Sequence, residues 1–326
     1  MKVNRLLAGT LALVLVAGLG GQAFAQTSED APINPPSATN DINPPEVCDG
    51  SDTDLLIQDV VSWGVGQGQD SRGAFVNELI LQQKNWCAIG SDAIGSTNLS
   101  QFKVIIIPSV QPISYYANVF PGNILHSDID AWVQAGGVLS VSLATFAGDN
   151  IFVTLPQGMT MTGTNTNDHT IVDLTHPLIT GASPCPSGNC GVIVDAGSQN
   201  DIDNWGDSSH TGFANVPAGA NVILSDSSGD AVAVEYNHGT GVIVANGLTD
   251  AFRYIGGPGN TNLEFVANDI AYQNSLDTFV GGELLPINTT ALLVAGAQTN
   301  AVWIMSALAV IGSVAFGALY LKTRKN

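Results

Sequence analysis

The chain has 326 residues, 45% of them hydrophobic and 11% charged, with 28 acidic against 9 basic residues and a formal net charge of -19. Such an acidic chain has no electrostatic footprint for nucleic acid, which excludes that class of partner. Its apolar content is enough to bury a core and excludes a disordered acidic tail.

In chain order, residues 1–25 read as a secretory signal peptide: Lys2 and Arg5, an apolar run over 6–19, then Ala23-Phe24-Ala25 as a small-x-small ending. Residues 26–52 are rich in Pro, Asn, Ser and acid, and are expected to be a disordered leader. Residues 53–275 are expected to form one α/β domain. A buried strand is predicted over 54–61. Phe75, Val76, Leu79 and Ile80 mark an amphipathic helix over 72–84. A second strand covers 86–89. The unbroken β-branched run over 103–108 predicts a third, buried on both faces. A helix with a serine N-cap follows over 127–134, stopped by Gly136-Gly137, and a fourth strand covers 138–143.

The second half changes character. Short β-like runs at 192–194, 222–224, 232–236 and 242–245 are separated by turn residues, and the last three have the spacing of successive hairpins. A final helix is predicted over 262–273, with Leu263, Phe265, Val266, Ile270 and Ala271 on its apolar side. Alternation of strand and helix predicts an α/β fold: a doubly wound, mostly parallel sheet with β-hairpin additions in the second half.

After the domain, residues 276–300 read as a stalk, and 301–321 form 21 residues without a charge, long enough for one transmembrane helix. Lys322, Arg324 and Lys325 in the tail 322–326 would stay on the cytoplasmic side. The expectation is a single-pass protein of the cell membrane, tethered through its C-terminal helix, with its N-terminal domain extracellular. The exported part would keep Arg72, Lys84, Lys103 and Arg253 as its basic residues against all 28 acidic ones. Such a surface repels anionic polymers and attracts cations.

Four cysteines, Cys48, Cys87, Cys185 and Cys190, form an even set, and two disulfides are expected in an oxidising compartment. Three pairings are open. The short segment Cys185-Pro-Ser-Gly-Asn-Cys190 suggests a loop closed on itself, leaving Cys48 with Cys87. A zinc site is disfavoured because no histidine lies at ligand spacing. Sequons at Asn98-Leu-Ser100 and Asn288-Thr-Thr290 would accept glycans in a cell with the machinery.

Several segments together resemble the class I glutamine amidotransferase-like fold: the strand over 103–108, then Trp132-Val-Gln-Ala-Gly-Gly-Val-Leu139, Asp173-Leu-Thr-His-Pro-Leu-Ile-Thr-Gly181, and the hairpin that ends in residues 239–247. The resemblance covers about residues 53 to 275. Catalytic members of that family place a cysteine in a Gly-x-Cys-x-Gly elbow after the fourth strand. Here that stretch is Val141-Ser-Leu-Ala-Thr-Phe-Ala-Gly148, without a cysteine, so the attacking thiolate is missing and amidotransferase chemistry is not implied. The stalk at 285–290 with its terminal span resembles the ends of archaeal surface proteins.

No catalytic residue is assigned. Ligands of open α/β sheets sit beyond the carboxyl ends of the strands, which makes Asp59, Ser62, Ser109, Thr145 and Asp250 candidate ligand contacts, and His210 is the best candidate among the histidines. A Ser-His-Asp set of Ser109, His210 and Asp250 can be assembled, but no Gly-x-Ser-x-Gly elbow singles out a serine. Asp195, Asp201, Asp203 and Asp207 make an oxygen-rich segment that could hold calcium, although its spacing is not that of an EF-hand and a solvated acidic loop is the simpler reading. No other cofactor is implied. The leading expectation is a non-catalytic, surface-anchored domain for envelope structure or recognition, with other envelope proteins or glycans as partners. The alternatives are an extracellular hydrolase with a nonstandard site and a calcium-stabilised adhesion module.

Overall fold

A computed structural model describes residues 48–60, 73–144, 151–195, 201–202, 209–251 and 261–280. In chain order these form β1 (Asp54–Ile57), α1 (Ala74–Leu81), β2 (Trp86–Ile89), β3 (Val104–Ile107), α2 (Ile113–Val119), α3 (Ser127–Gln134), β4 (Val138–Ser142), β5 (Thr154–Leu155), β6 (Met159–Met161), β7 (His169–Ile171), α4 (Pro177–Thr180), β8 (Phe213–Ala214), β9 (Asn221–Asp226), β10 (Ala231–His238), β11 (Gly241–Asn246) and α5 (Thr261–Val280).

The fold is α/β, but the expected doubly wound, mostly parallel sheet is not what forms. All the strands join one mixed, 11-stranded sheet with the path β2-β1-β3-β4-β11-β10-β8-β6-β5, and β9 and β7 branch from β10. Four pairings are parallel, linking β2, β1, β3, β4 and β11. Six are antiparallel. The hairpins are therefore more than additions. Their short turns force antiparallel partners, because a parallel partner needs a crossover of about a dozen residues or more. β5, β6, β7 and β8 are only two or three residues long and carry too little pattern to be read from sequence. The run at 192–194 is not a strand; Val194 makes one isolated bridge to Asp201.

Period-2 alternation along the parallel strands builds two cores. Leu56, Val104, Ile106, Val138, Val242 and Val244 face one cluster with Phe75 and Leu79 of α1 and Phe265, Val266 and Ile270 of α5. Leu55, Ile57, Ile105, Ile107, Leu139, Val141 and Ile243 face the other, with Tyr115 of α2 and Ile129, Trp132 and Val133 of α3. Each fully buried aliphatic side chain contributes about 1.5–3 kcal/mol, so strands that feed both cores are the best-determined part of the fold. Disulfides join Cys48 to Cys87 and Cys185 to Cys190. The first ties the chain ahead of β1 to the edge strand β2.

No helix among the described residues is long and apolar enough to cross a membrane. The signal segment, the leader up to residue 47, the stalk from residue 281 and the span at 301–321 lie outside the described residues. The expected single-pass anchor, with the membrane, envelope proteins and glycans as partners and an extracellular placement, therefore finds no membrane-crossing helix among the described residues to carry it.

The β10–β11 turn presses on the α3–β4 connection. Thr240 donates its amide to the Gln134 carbonyl at 3.0 Å, and Val242 donates to Gly137 at 3.2 Å. A Cβ on Gly241 would strike the carbonyl oxygens of Val133 and Gly137, which are backbone and cannot rotate away. Gly241→Ala is expected to cost about 1–3 kcal/mol, the range for forcing atoms into a packed site. Gly95→Ala, where an added Cβ meets nothing within 4 Å, is expected to stay within about 0.5 kcal/mol of the parent. Urea midpoints of the two variants check this contrast; equal midpoints would refute the close approach.

Candidate functional site

Because β1, β3, β4 and β11 run parallel, their carboxyl ends lie along one side of the sheet. At the end of β1, the Asp59 carboxylate accepts the Ser91 amide at 2.7 Å and the Ser91 hydroxyl at 2.8 Å. Asn118 in turn donates to that hydroxyl at 2.9 Å. The Gln111 side chain accepts the amides of Asp59 and Val60 at 3.0 and 3.1 Å and donates to the Val60 carbonyl at 3.0 Å. Tyr115 donates to the Ile57 carbonyl at 2.8 Å, and burial pushes its phenol well above the ordinary value. Val110 has a φ of 58°, a left-handed conformation that is strained for a β-branched residue, and its amide donates to the Ala144 carbonyl at 2.9 Å.

At the centre is Asp250, following β11. The Ser142 hydroxyl donates to it at 3.0 Å, and the Ser109 hydroxyl makes a long contact of 3.5 Å. The Ala251 amide donates at 2.8 Å. Asn246 donates to the Ser142 oxygen at 3.0 Å and accepts the Leu248 amide at 3.0 Å. Ser109, Ser142 and Asp250 are all 0–1% exposed. Burial, reinforced by the Asp269 carboxylate and partly offset by the Ser142 hydrogen bond, pushes the Asp250 carboxyl up to about 7.

A matching pair lies two residues earlier on β4. The Ser140 hydroxyl donates to Asp269 of α5 at 2.7 Å, and Gln273 donates to the same oxygen at 2.8 Å. Burial raises Asp269 to about 6 against the pull of these two bonds. The side chains of Ser140 and Ser142 point to one face of β4, where Ser140 meets α5 through Asp269 and Ser142 meets Asp250.

The structure thus joins Ser109 to Asp250, while the His210 amide donates to the Gly247 carbonyl at 2.9 Å, just after β11. Asp59 sits at the end of β1 and is linked to the Ser109 backbone through Gln111, which accepts the Asp59 amide and donates to the Ser109 carbonyl at 3.3 Å. Ser62 and Thr145 lie outside the described residues. Of the acidic segment, Asp203 and Asp207 also lie outside. Asp195 accepts the Ile171 amide at 3.3 Å, and Asp201 pairs with Val194 through a backbone bridge. Among the described residues the one cluster with metal-ligand spacing is Cys48, Asp52 and Cys87, and its two sulfurs are spent on a disulfide. Reading by sequence passed over Ser140, Asn246 and Asp269. The signal was there: serines at alternate positions of a strand buried on both faces must find acceptors. His176 caps α4, accepting the Leu178 amide at 3.2 Å through Nδ1, which leaves Nε2 to donate to Glu235 at 3.1 Å.

Among the described residues a cleft opens at the opposite ends of the strands. A cleft of about 650 Å³ is lined by Asn98, Ser100, Lys103, Asp128 and Trp132, at the amino ends of β3 and β4. Its volume is in the range of small-molecule sites, whereas Ser109, Ser142 and Asp250 at the carboxyl ends are buried.

No family model matches this chain, and no curated protein matches it. Solved structures that are similar include a cytoplasmic protein of Salmonella typhimurium (14% identity, 67% of this chain and 98% of that chain, TM-score 0.40). A second cytoplasmic protein, from Salmonella typhimurium LT2, has 12% identity over 70% of this chain and 99% of that chain, with TM-score 0.40. A GMP synthase-like protein of Thermoplasma acidophilum has 8% identity over 68% of this chain and 96% of that chain, with TM-score 0.36. These likenesses are loose, and the α/β fold rests on the strand pairings above.

Raised carboxyl values carry a pH signature. Between the ordinary value of 3.8 and the folded values of about 7 and about 6, the folded protein holds protons that the unfolded chain has released. That contribution to stability is full below about pH 4 and is lost as pH rises through the folded values. Asp250→Asn is expected to flatten the fall in urea midpoint between about pH 4 and 7, where one group contributes at most about 1.4 kcal/mol per pH unit. An unchanged slope would show that Asp250 ionises as an ordinary carboxylate.

Proposed function

We propose that this is a non-catalytic recognition domain on a class I glutamine amidotransferase-like fold that lacks the nucleophilic thiol. The observation that carries the reading is the state of the groups at the carboxyl ends of β3, β4 and β11. Ser109, Ser142, Asn246 and Asp250 are buried and hydrogen-bonded to one another. A nucleophile must meet its substrate, and these hydroxyls and this carboxylate face each other in a packed interior. The four cysteines are all in disulfides, which removes the thiolate that the family's chemistry needs. The parallel run β2-β1-β3-β4 and the position of the cysteine-free segment after β4 support the family relation. Recognition then falls to exposed side chains around the cleft beside Trp132, where Asn98, Lys103 and Asp128 offer an amide, a cation and a carboxylate.

A second reading has one observation in its favour. Asp250, raised to about 7 and bonded to Ser142, is the kind of carboxylate that hydrolases use as a base. Aryl ester and amide substrates separate the two. The wild type is expected to turn over none above the buffer rate, and Ser109→Ala, Ser142→Ala and Asp250→Asn are expected to be indistinguishable from it. Turnover that falls about a hundredfold or more in Ser142→Ala or Ser109→Ala establishes the hydrolase instead. Small polar fragments soaked into crystals are expected in the cleft beside Trp132; occupancy confined to the carboxyl ends of the strands would count against the proposed binding face.

A further inference from the structure

The loop closed by Cys185 and Cys190 is fastened to buried residues of α1 and α5. The Asn189 amide group donates to the Glu78 carboxylate of α1. The Gly191 amide donates to Asn268 Oδ1 of α5 at 3.2 Å, and Asn268 Nδ2 donates back to the Gly191 carbonyl at 2.8 Å and to the Leu178 carbonyl at 2.9 Å. Glu78 and Asn268 are both 0% exposed. A Cβ on Gly191 would strike the Glu264 carboxylate, so the loop seats without spare room. The two cysteines themselves are only half-buried, in contrast to Cys87, which is 0% exposed.

The two sulfurs of this bridge are not equivalent. The Cys190 amide donates to Cys185 Sγ at 3.2 Å, and the Ser187 hydroxyl lies 3.4 Å from the same sulfur. A disulfide sulfur has no proton, so the hydroxyl is the donor, and the Asn189 amide donating to Ser187 Oγ at 3.2 Å leaves its proton directed to Cys185. Hydrogen-bond donors aimed at a sulfur stabilise its thiolate, and the sulfur with the more stable thiolate is the better leaving group.

We propose that Cys185–Cys190 is a thiol–disulfide exchange site with a fixed polarity, and that its opening loosens the loop from α1 and α5. A small thiolate attacks Sγ of Cys190. A new S–S bond forms there, the Cys185–Cys190 bond breaks, and its electron pair stays on Cys185 Sγ as a thiolate held by the Cys190 amide and the Ser187 hydroxyl. A second thiolate then attacks the small-molecule sulfur of the mixed disulfide, releasing Cys190 as a thiolate. The two released thiolates take up the protons given by the two thiols. The protein disulfide is reduced by two electrons, and the two thiols are oxidised to one small disulfide.

The full chain is exposed briefly to reduced glutathione, quenched with iodoacetamide and mapped by peptide mass. Glutathione is expected on Cys190 and the alkyl group on Cys185, favoured over the reverse by about threefold or more. Cys48–Cys87 is expected to stay closed. Glutathione mainly on Cys185, an even split, or earlier opening of Cys48–Cys87 overturns the proposal. Ser187→Ala keeps the bridge and removes one donor, so the preference should shrink; a preference that is unchanged rules out the hydroxyl's part. In the reduced protein, hydrogen exchange at Gly191 and Ile193 should accelerate about tenfold or more while β4 is unaffected. Equal exchange before and after reduction refutes the loosening.

Discussion

Two serine hydroxyls on β4, each donating to a buried carboxylate, hold together the layer on which the rest is built. Ser140 reaches Asp269 on α5, and Ser142 reaches Asp250 after β11. A hydroxyl or carboxyl buried without a partner costs several kcal/mol, so these bonds are obligatory once α5 lies on the sheet. They also explain why α5 has almost no amphipathic stripe. Its residues from Thr261 to Ala271 are all buried, polar and apolar alike, because the surfaces it meets are themselves part polar. Glu264 and Asn268 face the loop and Asp269 faces the strand, while Phe265, Val266 and Ile270 fill the core.

That arrangement links parts of the chain that are far apart. Gln82 of the α1 end donates to the Ala267 carbonyl at 2.9 Å, and Lys84 donates to the Ile270 carbonyl at 2.8 Å. The Cys185–Cys190 loop adds a third fastening through Asn268. One polar layer therefore joins the first helix, the middle loop and the last helix against the central strand. The same layer buries Ser109, Ser142 and Asp250 at the carboxyl ends of the strands, and that burial supports the proposed binding role.

Much of the parallel half was legible. The β-branched run ahead of Pro108 predicted burial on both faces, and β3 supplies Val104 and Ile106 to one core and Ile105 and Ile107 to the other. The strands from Asn221 onward and their two tight turns were legible for the same reason: alternation and turn chemistry are local. The expected mostly parallel sheet failed where pairing is distant. β6 meets β8 across residues 160 and 214, and β7 meets β9 across 170 and 225, and β6, β7 and β8 are too short to leave a pattern. The candidate site was half legible. Ser109 and Asp250 were named together, but their meeting places them out of solvent, and the serine–carboxylate pair at Ser140 and Asp269 went unread.

Local chemistry in the sequence determined which segments become central strands, where the hairpins turn, and that no thiol stands after the fourth strand. Those properties depend on neighbours within a few residues, which a sequence displays directly. Only the tertiary structure decided the direction of each partner, the burial of the serine face of β4, and the unequal surroundings of the two sulfurs at 185 and 190. Each of these is set by atoms brought together across the fold or by the way a loop closes, and hydrophobic periodicity carries no record of them.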